Sequence, residues 1–264
     1  HPELLDWLAR DFADNGWDVK RFCRNVVLSA TYRQDSRKSA ELAVQDPDNR
    51  WLARGPAYRL SAEQIRDLAL ASSRLLTNRL GGPPVSPYQP GKDLWRESNS
   101  MSPAYQQSVG QDLYRRSLYS VWKRTAPLPN MIAFDAGTRE VCTAERTRTN
   151  TPLQALVLMN DVQFVEAARA LAQSSLEQHE ELASQVEAAF QKLTGRSPSE
   201  QEGKVLTALF ADEHAYYAEN TAEAAKLIEL GEAPIKQTVD PADLAAMTVV
   251  CQAIFNLDAT VWKR

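Results

Sequence analysis

Basic side chains are concentrated between residues 115 and 148. The arginine cluster, as we call this group, consists of Arg115, Arg116, Lys123, Arg124, Arg139, Arg146 and Arg148. A guanidinium binds sulfate, phosphate or carboxylate through two parallel hydrogen bonds, so the arginines of the cluster are candidates for an anion-binding surface. The competing interpretation is structural, because irregular chain needs donors such as arginine to satisfy its backbone carbonyls.

Two carboxylates lie within the same segment. Asp135 and Glu145 are weak candidates for the acid and base of a glycoside hydrolase, which needs two carboxyl groups roughly 5–10 Å apart. Acidic residues among seven basic ones are more commonly ion-pair partners, and the sequence alone does not give their distance. Hydrolysis of a polysaccharide is therefore the alternative to binding.

A long loop rich in glycine and proline is predicted over residues 81–110. Its aromatic side chains Tyr88, Trp95 and Tyr105 are suited to stacking on sugar rings or to anchoring the loop on the protein body. Loops of this length inside a domain are usually functional or mobile. The pattern leaves both roles for the aromatics open.

Other common catalytic and cofactor motifs are missing from the sequence. The three histidines show no metal-ligand spacing, and neither Gly-x-Ser-x-Gly nor a glycine-rich phosphate loop occurs. Without a Cys-x-x-Cys-His motif the chain cannot attach haem covalently, so we expect no cofactor or metal on it. Cys23, Cys142 and Cys251 are interpreted as buried free thiols, with one disulfide plus one thiol as the alternative.

Composition and charge place the chain among globular proteins. Of its 264 residues 44% are hydrophobic and 24% charged, values that exclude a disordered tail or a small disulfide scaffold. No apolar run approaches the 18 or so residues of a membrane span, and a net charge of −4 disfavours nucleic-acid binding. Residues 1–150 carry a net +5 (22 basic, 17 acidic) and residues 151–264 a net −9 (8 basic, 17 acidic).

Helical periodicity and caps predict a mainly α fold. Apolar residues recur at helical spacing after Pro2, Asp18, Ser61, Thr151 and Asp240, each of which suits a helix start. A weak alternation over residues 116–122 favours one short strand. We expect a single compact multi-helix domain over 1–264, with an Arg/Pro-rich part (1–150) and an acidic helical part (151–264), and at most one short strand or hairpin.

Several motifs, taken together and in order, resemble a known family. They are HPELLDWL (1–8), SATYRQ (29–34), DPDNR (46–50), RLSAEQIRD (59–67), RRSLY (115–119), RTNTPLQAL (148–156), TGRSP (194–198) and NLD (256–258). The chain is similar over nearly its whole length to the planctomycete-type C-terminal domain of unknown function. It departs from the family pattern at its end, where Ala259-Thr260 stands in place of an acidic residue and an aromatic one.

The resemblance implies a setting rather than an activity. Such domains stand at the C-terminal end of large exported proteins of polysaccharide-degrading bacteria, behind a second domain of unknown function and often a cytochrome c domain. The chain is then expected to be part of a longer polypeptide with a periplasmic or cell-surface location, and c-type haem would belong to an upstream domain. No catalytic residues are established for the family.

Three functions follow as hypotheses. The first is a noncatalytic module that binds a partner domain or an anionic polymer, such as an anionic polysaccharide. The second is the polysaccharide hydrolase, with Asp135 and Glu145 as its acids. The third is a scaffold for the upstream domains of the same polypeptide, including a cytochrome c domain.

Overall fold

The computed structural model describes residues 1–91, 95, 101, 103–236 and 238–263. Within the predicted loop 81–110, positions 92–94, 96–100 and 102 lie outside the described residues. The contacts divide the chain into two compact units: unit 1 is His1–Tyr58 with the last residues of the chain, and unit 2 is Arg59–Val261. That the whole chain is one domain stays a prediction.

Unit 1 contains three helices, α1 (Pro2–Asp14), α2 (Val19–Leu28) and α3 (Ala40–Gln45). The Asp18 carboxylate caps α2 by accepting a hydrogen bond from the Arg21 backbone N–H at 3.0 Å. The Arg21 guanidinium holds α1 and α2 together through two hydrogen bonds to Asp11, of 2.8 and 3.0 Å. None of the helical side chains of unit 1 is fully buried.

Unit 2 is a bundle of nine helices, counted over its described residues. They are α4 (Ala62–Ser72), α5 (Pro129–Ala133), α6 (Pro152–Asn160), α7 (Val162–Gln178), α8 (Leu182–Thr194), α9 (Glu200–Glu219), α10 (Thr221–Ile228), α11 (Pro241–Phe255) and α12 (Asp258–Val261). Helix α11 is central and packs against α7, α8, α9 and α10. It buries residues on every side, Met247, Val250 and Ile254 among them, so the core of the protein lies here.

The predicted mainly α class is confirmed. In the described part of the chain, strands occur only as β1 (Tyr58–Arg59) and β2 (Trp262–Lys263), which pair in a two-stranded sheet. None of the described helices is long and apolar enough to span a membrane. Both Ser61 and Ser199 form complete capping boxes, at the starts of α4 and α9.

Three local predictions need correction. The expected strand at 116–122 is wrong, because residues Gly110–Tyr114 and Ser117–Tyr119 form two 3-10 turns and only Ser120 makes a bridge, to Val85. Asp161 divides the helix predicted after Thr151 into α6 and α7, because its side chain caps α7. All three cysteines are free, but only Cys251 is buried; Cys23 and Cys142 are exposed.

Candidate anion-binding site

A cleft of about 280 Å³ in unit 2 brings together four of the predicted site residues. It is lined by Arg59, Leu60, Ser61, Phe134, Asp135, Ala144, Glu145, Arg146, Thr147 and Arg148. We call it the Arg59 cleft. Its walls come from three places: the residues that lead into α4, the chain that follows α5, and the exposed segment 141–150.

Asp135 fixes the geometry of the cleft from one side. It follows α5 with a backbone φ of 60°, in the left-handed region that aspartate tolerates better than most residues. Its carboxylate accepts hydrogen bonds from the Thr149 backbone N–H (2.7 Å) and hydroxyl (2.9 and 3.0 Å). These bonds close the chain between the two residues into a loop, so they position Glu145, Arg146 and Arg148.

A second anchor joins the exposed segment to α4. The Arg146 guanidinium donates to both carboxylate oxygens of Glu63, each at 2.9 Å. Burial acts to raise the pKa of Glu63, but hydrogen bonds from its own backbone N–H and from Arg146 outweigh this effect and hold the pKa below its ordinary value. The charge of Arg146 is therefore largely matched within the protein.

Arg59 differs from the other cations of the cleft because its guanidinium forms no hydrogen bond with a residue that the structure describes. The residue is 7% exposed, and its Nε is buried without a partner. Its guanidinium makes no ion pair or hydrogen bond with any described residue. Burial lowers the pKa of Arg59, and the carboxylates of Asp258 and Asp135 offset the shift only in part. The Arg59 Nε is therefore a buried donor without an acceptor among the described residues, which is costly, and an anion in the cleft would supply the acceptor.

The remaining arginines of the cluster do not line the cleft. Arg115 is fully buried and donates to the carbonyls of Pro83 (3.0 Å), Arg79 (3.1 Å) and Gly81, with its guanidinium over the Tyr119 ring. It therefore has a structural role. The Arg139 guanidinium lies 4.9 Å from the centre of the Trp122 ring. Arg116 and Arg124 are exposed and lie outside the lining of the cleft.

The loop aromatics act as anchors in the structure. The Tyr105 hydroxyl donates to the Pro87 carbonyl at 2.6 Å, and its ring meets Trp95 edge to face at 5.0 Å. The Lys123 ammonium donates to the Trp95 carbonyl at 2.7 Å. Tyr88 is buried. None of the three aromatics lines the Arg59 cleft.

A second polar cluster, which the sequence analysis missed, surrounds Glu166. This fully buried residue accepts hydrogen bonds at Oε1 from the hydroxyls of Tyr88 (3.2 Å) and Tyr114 (2.8 Å) and from the backbone N–H groups of Glu232 (2.6 Å) and Ala233 (2.7 Å). Gly231 is required beside it, because a Cβ there would lie 2.4 Å from the carboxylate. The cluster ties the chain between α10 and α11 to α7, which is a structural role.

Only one group in the described chain has a geometry that suits a metal ion. Ligating atoms of His214, Asp240 and Asp243 lie within 4.8 Å of one another. Asp240, however, caps α11 by accepting from Ala242 N–H at 2.8 Å, and Asp243 pairs with His214 at 3.3 Å. These contacts account for all three positions without a metal ion.

Sequence reasoning found Asp135, Glu145, Arg146 and Arg148 but missed Arg59 and Glu63. Both belong to the motif RLSAEQIRD at 59–67, which was singled out as part of a resemblance and not as part of a site. The burial of Arg59 depends on tertiary packing, which no local pattern encodes.

Comparison with known proteins gives a family and no function. Residues 1–210 match the family model PSD1, described as a protein of unknown function (DUF1553). No curated protein and no solved structure matches the chain.

Proposed function

We propose that this chain, which belongs to the PSD1 family of proteins of unknown function (DUF1553), is a noncatalytic module. It binds an anionic polymer in the Arg59 cleft. The observation that carries the proposal is the buried Arg59, whose Nε has no hydrogen-bond partner and whose guanidinium forms no ion pair with any described residue. An anionic group placed against it would supply the missing acceptors through charge-assisted hydrogen bonds.

The surroundings of Arg59 suit a polymer better than a small enclosed ligand. Residues 141–150 are all exposed, so the segment that forms one wall of the cleft stays accessible to solvent on its outer side. A polymer chain with one unit in the cleft has room to continue along this segment. Arg146 and Arg148 line the cleft on this side and add positive charge near such neighbouring units.

The chemical identity and the location of the polymer extend this proposal. The resemblance to exported domains of polysaccharide-degrading bacteria supports an acidic polysaccharide as the first polymer to test. It likewise supports a periplasmic or cell-surface location and contact with upstream domains of the same polypeptide.

Hydrolysis is the second candidate function, and one observation favours it. Asp135 and Glu145 line the same cleft, as an acid and base pair must. Asp135 already accepts three hydrogen bonds from Thr149, which favours a positioning role over proton transfer. Incubating the protein with acidic polysaccharides and measuring new reducing ends tests this candidate directly.

The binding proposal is tested with Arg59→Gln on a column of immobilised polygalacturonate. We expect the wild-type protein to be retained and the variant to lose about tenfold or more in affinity, the effect of losing a charge-assisted pair. Arg116→Gln is the matched control, because this arginine is exposed and outside the cleft. Equal retention of Arg59→Gln and the wild type would contradict the proposal.

A further inference from the structure

The Arg59 cleft contains a carboxylate, as well as the Arg59 guanidinium, that forms no hydrogen bond or ion pair with a described residue. Glu145 lines the cleft and is exposed, and its carboxylate has no hydrogen bond or ion pair with any residue that the structure describes. It therefore differs from the other carboxylate of the cleft, because Asp135 is held by Thr149.

The remaining charges of the cleft already have partners in the protein. Arg146 is paired with Glu63, and Arg148 has an interaction of its own. A ligand that enters the cleft consequently meets one cation and one anion that are both available. The cation can donate to acceptors of the ligand, and the exposed carboxylate can accept from hydrogen-bond donors of the ligand in place of water.

A densely charged polymer can bind the cation of the cleft but offers no hydrogen-bond donor to Glu145. Its anionic groups would pair with Arg59, but other charges of the polymer that come near Glu145 in the same cleft would be repelled by its carboxylate. A ligand whose acid group is flanked by hydroxyl groups satisfies both side chains, because a hydroxyl donates to the carboxylate while the acid group accepts from the guanidinium.

We infer that the cleft selects a hydroxy acid unit, with one acid group and hydroxyl groups on neighbouring carbons, as in a sugar acid. Arg59 binds the acid group and Glu145 accepts from a hydroxyl. The inference rests on the proposed function and adds a specificity-determining residue to it. The cleft volume of about 280 Å³ suits a single unit of this size, since complete pockets for larger drug-sized ligands run from about 300 to 1,000 Å³.

Two polymers with the same acid group distinguish this inference from simple charge attraction. Polygalacturonate carries a carboxylate and hydroxyl groups on each unit, whereas polyacrylate carries carboxylates alone. Affinity is measured for both at equal carboxylate concentration and moderate salt. We expect the wild-type protein to prefer polygalacturonate about tenfold, which corresponds to one hydrogen bond to a charged group.

Glu145→Gln should reduce the preference for polygalacturonate over polyacrylate through its effect on both polymers. It should weaken binding of polygalacturonate, because a neutral amide accepts a weaker hydrogen bond, and strengthen binding of polyacrylate, because the repulsion is gone. Glu140→Gln is the control, since Glu140 is exposed in the same region and does not line the cleft. This control should leave the preference unchanged.

The outcomes separate the inference from the function on which it rests. Equal binding of both polymers that is lost in Arg59→Gln overturns the hydroxy acid inference and leaves the proposed function standing. A preference that Glu145→Gln does not change also overturns the inference. If neither polymer binds, or if binding does not depend on Arg59, both proposals are wrong.

Discussion

Two arginines near helix α4 are both buried, yet they lie in opposite surroundings. Arg66, within α4, donates from its terminal nitrogens to the carbonyls of Arg115 and Leu113, each at 2.8 Å, and to the Gln163 side chain at 3.0 Å. Arg59, just before α4, is 7% exposed and donates to no described residue. The Arg66 guanidinium joins α4 to the chain at residues 113–115, and Arg59 lines the cleft.

The difference teaches how to separate structural from functional arginines in this fold. A buried guanidinium that donates to backbone carbonyls replaces the hydrogen bonds that irregular chain would otherwise make with water. A buried guanidinium that donates to nothing is costly to the fold, and binding an anion offsets the cost. Burial alone does not distinguish the two; the presence of acceptors does.

Replacing each of these arginines by glutamine gives the largest expected effect. Arg66→Gln leaves the Arg115 and Leu113 carbonyls buried without donors, so the free energy of unfolding should fall by about 3 kcal/mol. Arg59→Gln breaks no hydrogen bond or ion pair to a described residue and removes a buried charge, so stability should stay within about 0.5 kcal/mol of wild type or rise. Urea denaturation followed by circular dichroism measures both.

The test depends on the difference in the free energy of unfolding between Arg59→Gln and Arg66→Gln. A loss in Arg59→Gln as large as that in Arg66→Gln would mean that Arg59 is structural. The binding proposal would then lack its main support.

The neighbouring residues Arg115 and Arg116 offer a smaller test of the same comparison. In Arg115→Lys the ammonium lacks the planar fork that donates to the Pro83, Arg79 and Gly81 carbonyls, so we expect a loss of about 2 kcal/mol. Arg116→Lys keeps the charge of an exposed residue and should change stability by less than about 0.5 kcal/mol. Thermal unfolding of the two variants side by side would show no difference if Arg115 were replaceable by any cation.

Local chemistry made much of the fold predictable. The caps at Asp18, Ser61 and Asp240 depend on side chains that bond to backbone N–H groups a few residues away, so the sequence around each cap is sufficient. The prediction of a strand at 116–122 was wrong because the conformation there depends on a contact that is distant in sequence. Arg66, some fifty residues away in the sequence, donates to the carbonyls of Leu113 and Arg115 and holds this part of the chain in a turn. No local sequence pattern predicts such a contact.

The site was predictable in part. Asp135, Glu145, Arg146 and Arg148 belong to one segment that Asp135 and Thr149 close into a loop, so nearness in sequence gave nearness in space. Arg59 is distant from them in sequence and was missed. The cluster residue Arg115 resembles Arg148 in type alone, because only tertiary packing determines which arginine meets carbonyls and which meets a cleft.

The ion pair at the edge of the cleft gives the smallest expected effect, and one that depends on pH. Because the pKa of Glu63 lies below its ordinary value of 4.5 in the folded protein, the pair with Arg146 stabilises the fold fully above that value. This stabilisation is lost as the pH falls through the folded-state pKa. The pair is partly exposed, so we expect Glu63→Gln to cost only about 0.5 kcal/mol at pH 7.

Urea denaturation of wild type and Glu63→Gln at pH 7 and again near pH 3 measures this effect. The difference between the two proteins should shrink as the pH falls towards the folded-state pKa of Glu63, because the pair weakens when Glu63 takes up its proton. Glu140→Gln, which removes an exposed acidic charge outside the cleft, controls for the change in net charge. A difference that stays constant with pH would show that the ion pair of Glu63 with Arg146 contributes nothing to stability.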